Sequence, residues 1–464
     1  MERKYLEKLI EWKNNPRRKP LVVWGARQVG KSYLIKDLFA DKFFENNYLR
    51  IDCSSDTIFT DFVFRNANLD NVLKFISLNY NINISKNTLL IFDEVQECLP
   101  IVSLLKQFCE QRREIPVIAT GSLVRIKIKR EVSKRGKFAK NKFLFPVGKI
   151  NQLNVYPMTF DEFLMNYKPN LYKEVRNAFL EKHNLGDLHQ IAINAFNEYI
   201  AIGGMPEVVN TYIEEVNNKN PNALNEARTI LKDIYTDYLD DMSLYQASPE
   251  SVIRSKAIFE NIYGQLNKEC KNFKCSQIEK NTKTRDMIAP IDWLTTARVA
   301  SKSCELKERV TTPLVTLNES LFRLYLCDVG MYSIQSNLTS NVFASSLYGE
   351  FAGYFYENYL ATELIAREYK LFYWKGKRDA ELEFIIEING RIIPFDIKKN
   401  KGSLKSLDEF RKHNKKDIAV KISSAQFGFD ENNMILNIPF YYVPFFLESL
   451  QKGEINDLKI SEKK

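Results

Sequence analysis

Between residues 20 and 158, short apolar runs alternate with stretches whose apolar residues recur at helical spacing. This predicts strands near 20–24, 47–52, 88–92, 116–120 and 151–156, joined by helices. That alternation specifies an α/β layer with a mostly parallel sheet. Leu21-Val22-Val23-Trp24 is apolar throughout, as a strand covered on both faces requires. Tyr33, Leu34, Ile35, Leu38 and Phe39 then fall at helical spacings, and Tyr5, Leu6, Leu9, Ile10 and Trp12 predict a short amphipathic helix ahead of the first strand. Thr159-Phe160-Asp161-Glu162 has the form of a capping box, with Thr159 as N-cap and Glu162 reaching back. It opens a helical region that runs to about 245, punctuated by a tight turn at Gly203-Gly204-Met205-Pro206.

From 246 to 340 the pattern changes. A helical run through Val252, Ile258, Ile262 and Leu266 precedes segments at 276–281 and 286–299, and Thr311-Thr312-Pro313-Leu314-Val315 is expected in a wing or strand. Three helices and a short β element predict a winged helix, a fold that reads DNA or serves as a protein contact. A break is expected at Tyr348-Gly349, and a second α/β pattern follows. Phe351, Phe355, Tyr359 and Leu360 share a helical face, with Glu357 on the same helix. Strands are expected at 371–374, 381–388, 391–398 and 417–423. The chain shows no internal repeat and no low-complexity segment.

The chemistry begins at Gly25-Ala26-Arg27-Gln28-Val29-Gly30-Lys31-Ser32, a full G-x-x-x-x-G-K-[ST] pattern between a predicted strand and a predicted helix. Gly25 and Gly30 let the chain wrap so that successive N–H groups face phosphate oxygens, and the helix beginning near Lys31 adds its positive end. Lys31 is expected to reach the β- and γ-phosphates and Ser32 to ligate Mg²⁺. Thr88-Leu89-Leu90-Ile91-Phe92 delivers Asp93-Glu94 to a strand's C-terminal edge. There Asp93 would hold the metal, directly or through water, and Glu94 would orient or deprotonate the attacking water. Pro116-Val117-Ile118-Ala119 delivers Thr120-Gly121-Ser122, hydroxyls suited either to sensing a γ-phosphate, with Ser122 as a nucleotide contact, or to capping a turn.

At 464 residues the chain exceeds what one core supports, so two to four domains are expected. Its composition of 45% hydrophobic and 27% charged residues is that of a soluble globular protein. No apolar stretch reaches a membrane span; the longest, Ile438 to Leu447, is broken by Pro439 and Pro444. Glu2, Arg3, Lys4 and Glu7 interrupt any signal-peptide core. Seven scattered cysteines supply neither a disulfide frame nor a CxxC pair, which fits a cytoplasmic setting, and three histidines give little basis for a zinc site. The net charge of +9 is modest for this length, but basic residues crowd Arg125 to Lys142, with Glu131 the single acid there. Such a run either meets nucleic-acid phosphates or an acidic partner surface, or is a solvated loop.

Asn389-Gly390, the strongest two-residue hairpin signal, separates the runs 381–388 and 391–398. A flat hairpin places Glu383 opposite Asp396 and Glu381 opposite Lys398 on one face, with Leu382, Phe384, Ile386, Ile393, Phe395 and Ile397 on the other, unless Pro394 introduces a bulge. Facing carboxylates repel unless something positive lies between them. That positive group is either a divalent metal held by Glu383 and Asp396 beside Lys398, or Lys398 itself.

Together these segments resemble the prokaryotic AAA-like P-loop ATPases that end in a restriction-endonuclease-like domain of unknown function. The resemblance runs from the Gly25 loop through Leu89 to Glu94, Thr120-Gly121-Ser122, Tyr156-Pro157-Met158-Thr159-Phe160 and Gly203-Gly204-Met205-Pro206. It continues through Leu324 to Gly330 and Phe355 to Leu364, and ends in the hairpin. It implies an AAA-like core over 1–158, a helical lid or linker over 159–245, a winged-helix-like module over 246–340 and a restriction-endonuclease-like domain over 341–464. It also implies Mg²⁺-dependent ATP binding and hydrolysis. Its D/E…(D/E)-x-K signature corresponds here to Glu383, Asp396 and Lys398, with Glu357 as a further candidate. Two departures stand out. Gly148-Lys149 replaces the usual Gly-Arg, and Glu383 replaces the usual aspartate. Three functions follow: an ATPase whose nucleotide state drives the C-terminal domains, an ATP-gated metal-dependent nuclease, or a nucleotide-dependent binding module with negligible turnover. DNA, RNA, a protein partner or further copies of the chain are the expected partners. Arg125, Arg130 and Arg135 are candidates for an arginine finger by position alone.

Overall fold

A computed structural model of the chain describes residues 1–122, 146–246, 248–280, 282, 284–343, 352–377, 380–398, 404–414 and 418–454. The basic run Arg125 to Lys142, with Arg125, Arg130 and Arg135, and the expected break at Tyr348-Gly349 lie outside the described residues. The chain divides into two compact units: Glu2–Tyr156 with Thr296–Arg298, and Pro157–Thr295 with Val299–Lys464.

The first unit is built on five parallel strands, β1 (Leu21–Trp24), β2 (Tyr48–Asp52), β3 (Leu89–Asp93), β4 (Val117–Gly121) and β5 (Asn151–Asn154), in the order β2-β3-β4-β1-β5. Each predicted strand is present within one or two residues of its expected place. β1, β3 and β4 are buried along their whole length, which is why they read as unbroken apolar runs. On one side Val22, Trp24, Phe92 and Ala119 pack with Phe59, Val63, Val72, Ile76 and Phe108. The helix that starts at Lys31 widens to a π-helix over Leu34–Ala40 and buries Leu34, Ile35, Leu38 and Phe39, four of the residues whose spacing predicted it. Since all five strands run the same way, Trp24, Asp52, Asp93 and Gly121 come to one edge.

The second unit opens with the helix Phe160–Tyr167, where the Thr159–Glu162 capping box is formed in both directions. Helices Pro169–Leu180, His189–Ile202, Pro206–Asn217 and Ala223–Tyr245 follow, then Pro249–Glu260, Ile262–Leu266 and Thr284–Thr296. β6 (Ala300–Glu305) and β7 (Phe322–Leu326) pair antiparallel, but Thr311 to Val315 lie in the connection between them. On its other side β6 pairs with β8 (Leu371–Lys375), which pairs with β9 (Glu381–Leu382). The two strands that this connection joins belong to a four-stranded sheet in the order β7-β6-β8-β9, and Thr311 to Val315 form none of its strands.

β10 (Phe384–Ile388) and β11 (Arg391–Ile397) form the predicted hairpin, with Asn389 and Gly390 both at positive φ as a two-residue turn requires. Its register runs unbroken from Ile388↔Arg391 to Phe384↔Phe395, and Pro394 pairs with Ile385 without a bulge. β11 continues to β12 (Ala419–Ser423) and β14 (Ile435–Pro439), with β13 (Gly428–Asp430) at the far edge. Two expectations change here. Glu381 and Leu382 leave the hairpin to pair with β8, so Glu381 stands opposite Lys375 and not Lys398. The hairpin has no polar face either, because Ile385 is buried with Leu382, Trp374, Leu407 and Phe410. Among the described residues no helix is long and apolar enough to cross a membrane.

Candidate functional site

The loop from Gly25 to Ser32 joins the end of β1 to its helix as the spacing predicts. A Cβ on Gly25 would lie 2.5 Å from the Val155 carbonyl oxygen, so only glycine lets the loop pass so close to the end of β5. Gly30 takes φ 84° and Gln28 φ 59°, and these left-handed residues curl the backbone so that neighbouring amides converge. Ala26 and Val29 are buried as the loop's anchors, while Arg27 is exposed.

Lys31 is buried, and its ammonium donates to the carbonyls of Gly25 (3.2 Å) and Ala26 (2.7 Å). Burial strips its water and pushes its pKa down to about 8, against the pull of Glu94 and Asp93 and with a further push from Arg27. The lysine thus lines the inside of the loop. Ser32 Oγ donates to Asp93 Oδ2 at 3.0 Å, and Asp93 Oδ1 accepts from the Glu94 amide at 3.1 Å. Oxygen donors at this spacing suit a hard divalent cation.

Glu94 is held at φ 49°, an uncommon conformation for a side-chain-bearing residue, and its Oε2 accepts from Gln96 Nε2. The strained backbone turns the carboxylate away from the direction a regular strand would give it. Ser122 follows β4 and is half-buried. Thr120, on β4 beside Val23, is fully buried, and its hydroxyl has no hydrogen-bond partner among the described residues.

Several contributors carry no local sequence signal. Arg50 of β2 donates twice to Asp93 Oδ2, from Nε at 3.0 Å and from Nη2 at 2.7 Å. Arg3, in the residues ahead of the first helix, is buried and donates to the Val29 carbonyl (3.0 Å) and the Tyr156 carbonyl (2.8 Å), fixing the loop's outer turn. Gln96 is the third. Strand pairing brings Arg50 and the path of the N-terminus brings Arg3, while Gln96 follows Glu94 by two residues.

In the second unit, Glu383 and Asp396 are buried near one another as expected. Glu383 Oε2 accepts from the Ile397 amide at 3.1 Å, where the hairpin ladder stops and the strand bends toward β8. Burial raises its pKa to about 7, with Lys271 opposing and Asp396 adding to the rise. Asp396 Oδ1 stands 2.8 Å from Lys398 Nζ, and its Oδ2 meets no hydrogen-bond donor among the described residues. Lys271 approaches Glu357 (2.7 Å), Glu381 (3.0 Å) and Glu383 (3.9 Å). The fully buried Arg323 pairs with Glu357 (3.2 Å) and Glu381 (2.6 Å), and Tyr325 Oη donates to Glu357 at 2.6 Å. Burial alone would discharge Lys271, but the surrounding carboxylates outweigh it and raise its pKa. Among the described residues no group of three or more His, Cys, Asp or Glu side chains is arranged to hold a metal ion.

The sheet order, the loop and the acidic strand end together define a P-loop nucleotide-site architecture. A family model described as an AAA domain matches residues 17–164, and two described as domains of unknown function, DUF8612 and DUF4143, match 193–342 and 352–441. Over residues 17–164 the chain is thus similar to AAA domains, in the same stretch that carries the phosphate loop and the acidic strand end. Among solved structures the chain is similar to a Walker-type ATPase of Pyrococcus abyssi. The two share 15% identity over 72% of this chain and 95% of that one, with a TM-score of 0.42. No curated protein matches the chain.

Proposed function

We propose that the first unit binds ATP with Mg²⁺ and hydrolyses it, and that the nucleotide state is relayed to the C-terminal domains. The observation that carries this is Lys31, a buried ammonium held by its own loop's carbonyls beside the Ser32–Asp93 pair. Anionic phosphates would take over those contacts, with the loop amides and the helix N-terminus adding donors. Ser32 and Asp93 would hold Mg²⁺, whose charge offsets that of the phosphates. Glu94 would accept a proton from, or orient, the water attacking the γ-phosphorus, and Thr120 and Ser122 would sense the γ-phosphate from β4. The phosphate-loop motif occurs once in the sequence, which favours one nucleotide per chain. Phosphate release should be measured against protein concentration, with and without DNA and RNA. Turnover indistinguishable from background in all conditions, with nucleotide still bound, would favour the non-hydrolysing binding module.

A metal-dependent nuclease is the second reading. It is favoured by the buried Asp396, whose Oδ2 has no hydrogen-bond donor among the described residues, beside Glu383 and Lys398, and disfavoured by the cations already placed among Glu357, Glu381 and Glu383. Incubation of DNA or RNA with Mg²⁺ or Mn²⁺, against an Asp396→Ala control, decides it. Absence of metal-dependent cutting in every nucleotide state would remove this reading.

A further inference from the structure

Asp93 has a side chain only 3% exposed, and a carboxylate so buried requires positive partners. Its Oδ1 is taken by the Glu94 amide, and its Oδ2 accepts three donors: Ser32 Oγ, Arg50 Nε and Arg50 Nη2. Three donors leave that oxygen no free lone-pair direction. A cation seated between Ser32 and Asp93 needs the same oxygen. Arg50 therefore competes with any cation that approaches Asp93 through Oδ2, the oxygen that faces Ser32. It also has somewhere to go. Its side chain is 35% exposed, and Asp52 Oδ2, two residues along the same strand face, lies 3.8 Å from Nη2. The backbone of β2 need not move, because Arg50 is fixed there by its register with Ile91.

We propose that Arg50 is a positioning residue that substitutes for the Mg²⁺ charge while the site is empty. It holds Asp93 in place through its two hydrogen bonds, and it swings to Asp52 when nucleotide and cation bind. This rests on the ATP reading above and adds to it the determinant of the site's cation affinity. The consequence is a competition. Arg50 stabilises the empty site and, by the same contacts, raises the Mg²⁺ concentration needed to fill it.

The test uses the full-length chain with Arg50→Met and Arg50→Lys. Binding of a fluorescent, non-hydrolysable ATP analogue is titrated across Mg²⁺ concentration, and thermal unfolding is followed with and without the Mg²⁺ complex. Arg50→Met should lower the half-saturating Mg²⁺ concentration by about tenfold, because two charge-assisted hydrogen bonds no longer compete for Asp93. It should also unfold earlier than the wild type when empty, with the difference closing once the complex is bound. Arg50→Lys, with a point charge in place of the fork, should fall between the two. An unchanged or increased Mg²⁺ requirement, or the same thermal deficit in both states, would overturn the proposal and leave Arg50 a structural residue or a nucleotide contact. A wild-type chain that binds no analogue at any Mg²⁺ concentration would overturn the ATP reading itself, a result distinct from any difference between the Arg50 variants.

Discussion

Ser32 and Asp93 are 61 residues apart in sequence, yet the hydroxyl of one donates to the carboxylate of the other at 3.0 Å. Parallel strands make this possible. β1 and β3 flank β4 in the same direction, so the loop leaving β1 and the acid ending β3 reach the same edge. A functional site here needs no further rearrangement of the backbone to bring its hydroxyl and carboxylate together.

Lys31→Ala should abolish ATP hydrolysis and weaken nucleotide binding by at least about tenfold, since it removes the one buried ammonium inside the loop. Fold should be retained, because the same change deletes a charge that burial disfavours. Isothermal titration with ATP and Mg²⁺ checks binding, and circular dichroism checks the fold. Full turnover in this variant would reject the site.

Glu94→Gln keeps the shape and the hydrogen-bonding reach toward Gln96 but removes the base. The expected result is a loss of roughly 10²- to 10⁴-fold in turnover with nucleotide affinity retained. Single-turnover phosphate release alongside equilibrium binding separates the two. Equal losses in both would show that Glu94 supports binding and not the chemical step.

Lys271→Met leaves Glu357, Glu381 and Glu383 with Arg323 as the remaining close cation of the pair, so the second unit should lose about 3–5 kcal/mol of stability. Adding Glu357→Gln should recover part of that loss by removing one of the stranded charges. Calorimetric unfolding measures both. A neutral single variant would mean that the cluster is far more hydrated than its burial implies.

Asp328 is the N-cap of the helix Val329–Gln335, accepting from the Met331 amide (3.1 Å) and from the Gly204 amide (2.7 Å). Burial nonetheless raises its pKa from 3.8 to about 6, against the pull of those amides. The sign follows from proton counting. Between these two values the folded chain holds more protons at this site than the unfolded one, so its contribution falls as pH rises through the window. Relative to Asp328→Asn, the wild type should lose up to about 3 kcal/mol between roughly pH 4 and pH 6 and stay level above that. Denaturation midpoints of the two proteins at pH 4.5 and pH 7 test it. A gap that widens in the wild type's favour toward pH 7 would reverse the assignment.

Much of the architecture was written in local pattern. Apolar runs marked β1, β3 and β4 because strands covered on both faces need no polar positions. The Gly25–Ser32 loop, the Thr159 capping box and the Asn389-Gly390 turn were legible because each is fixed by the conformational demands of a few neighbouring residues. The hairpin register was also readable, since a two-residue turn leaves one way to pair the strands. Where it failed, at Glu381, a competing edge on β8 captured the strand, and no local signal records which edge is nearby.

The sequence by itself therefore determined the phosphate loop, the acidic end of the third strand and the α/β frame that joins them, because hydrophobic period and backbone freedom act over a few residues. Only the tertiary structure decided which distant charges meet. Arg50 on Asp93, Arg3 on the Val29 carbonyl, and Lys271 with Arg323 among Glu357 and Glu381 all depend on strand order and chain path. The physical reason is that burying a charge costs too much without an opposite one, and a folded chain can draw that partner from anywhere along its length.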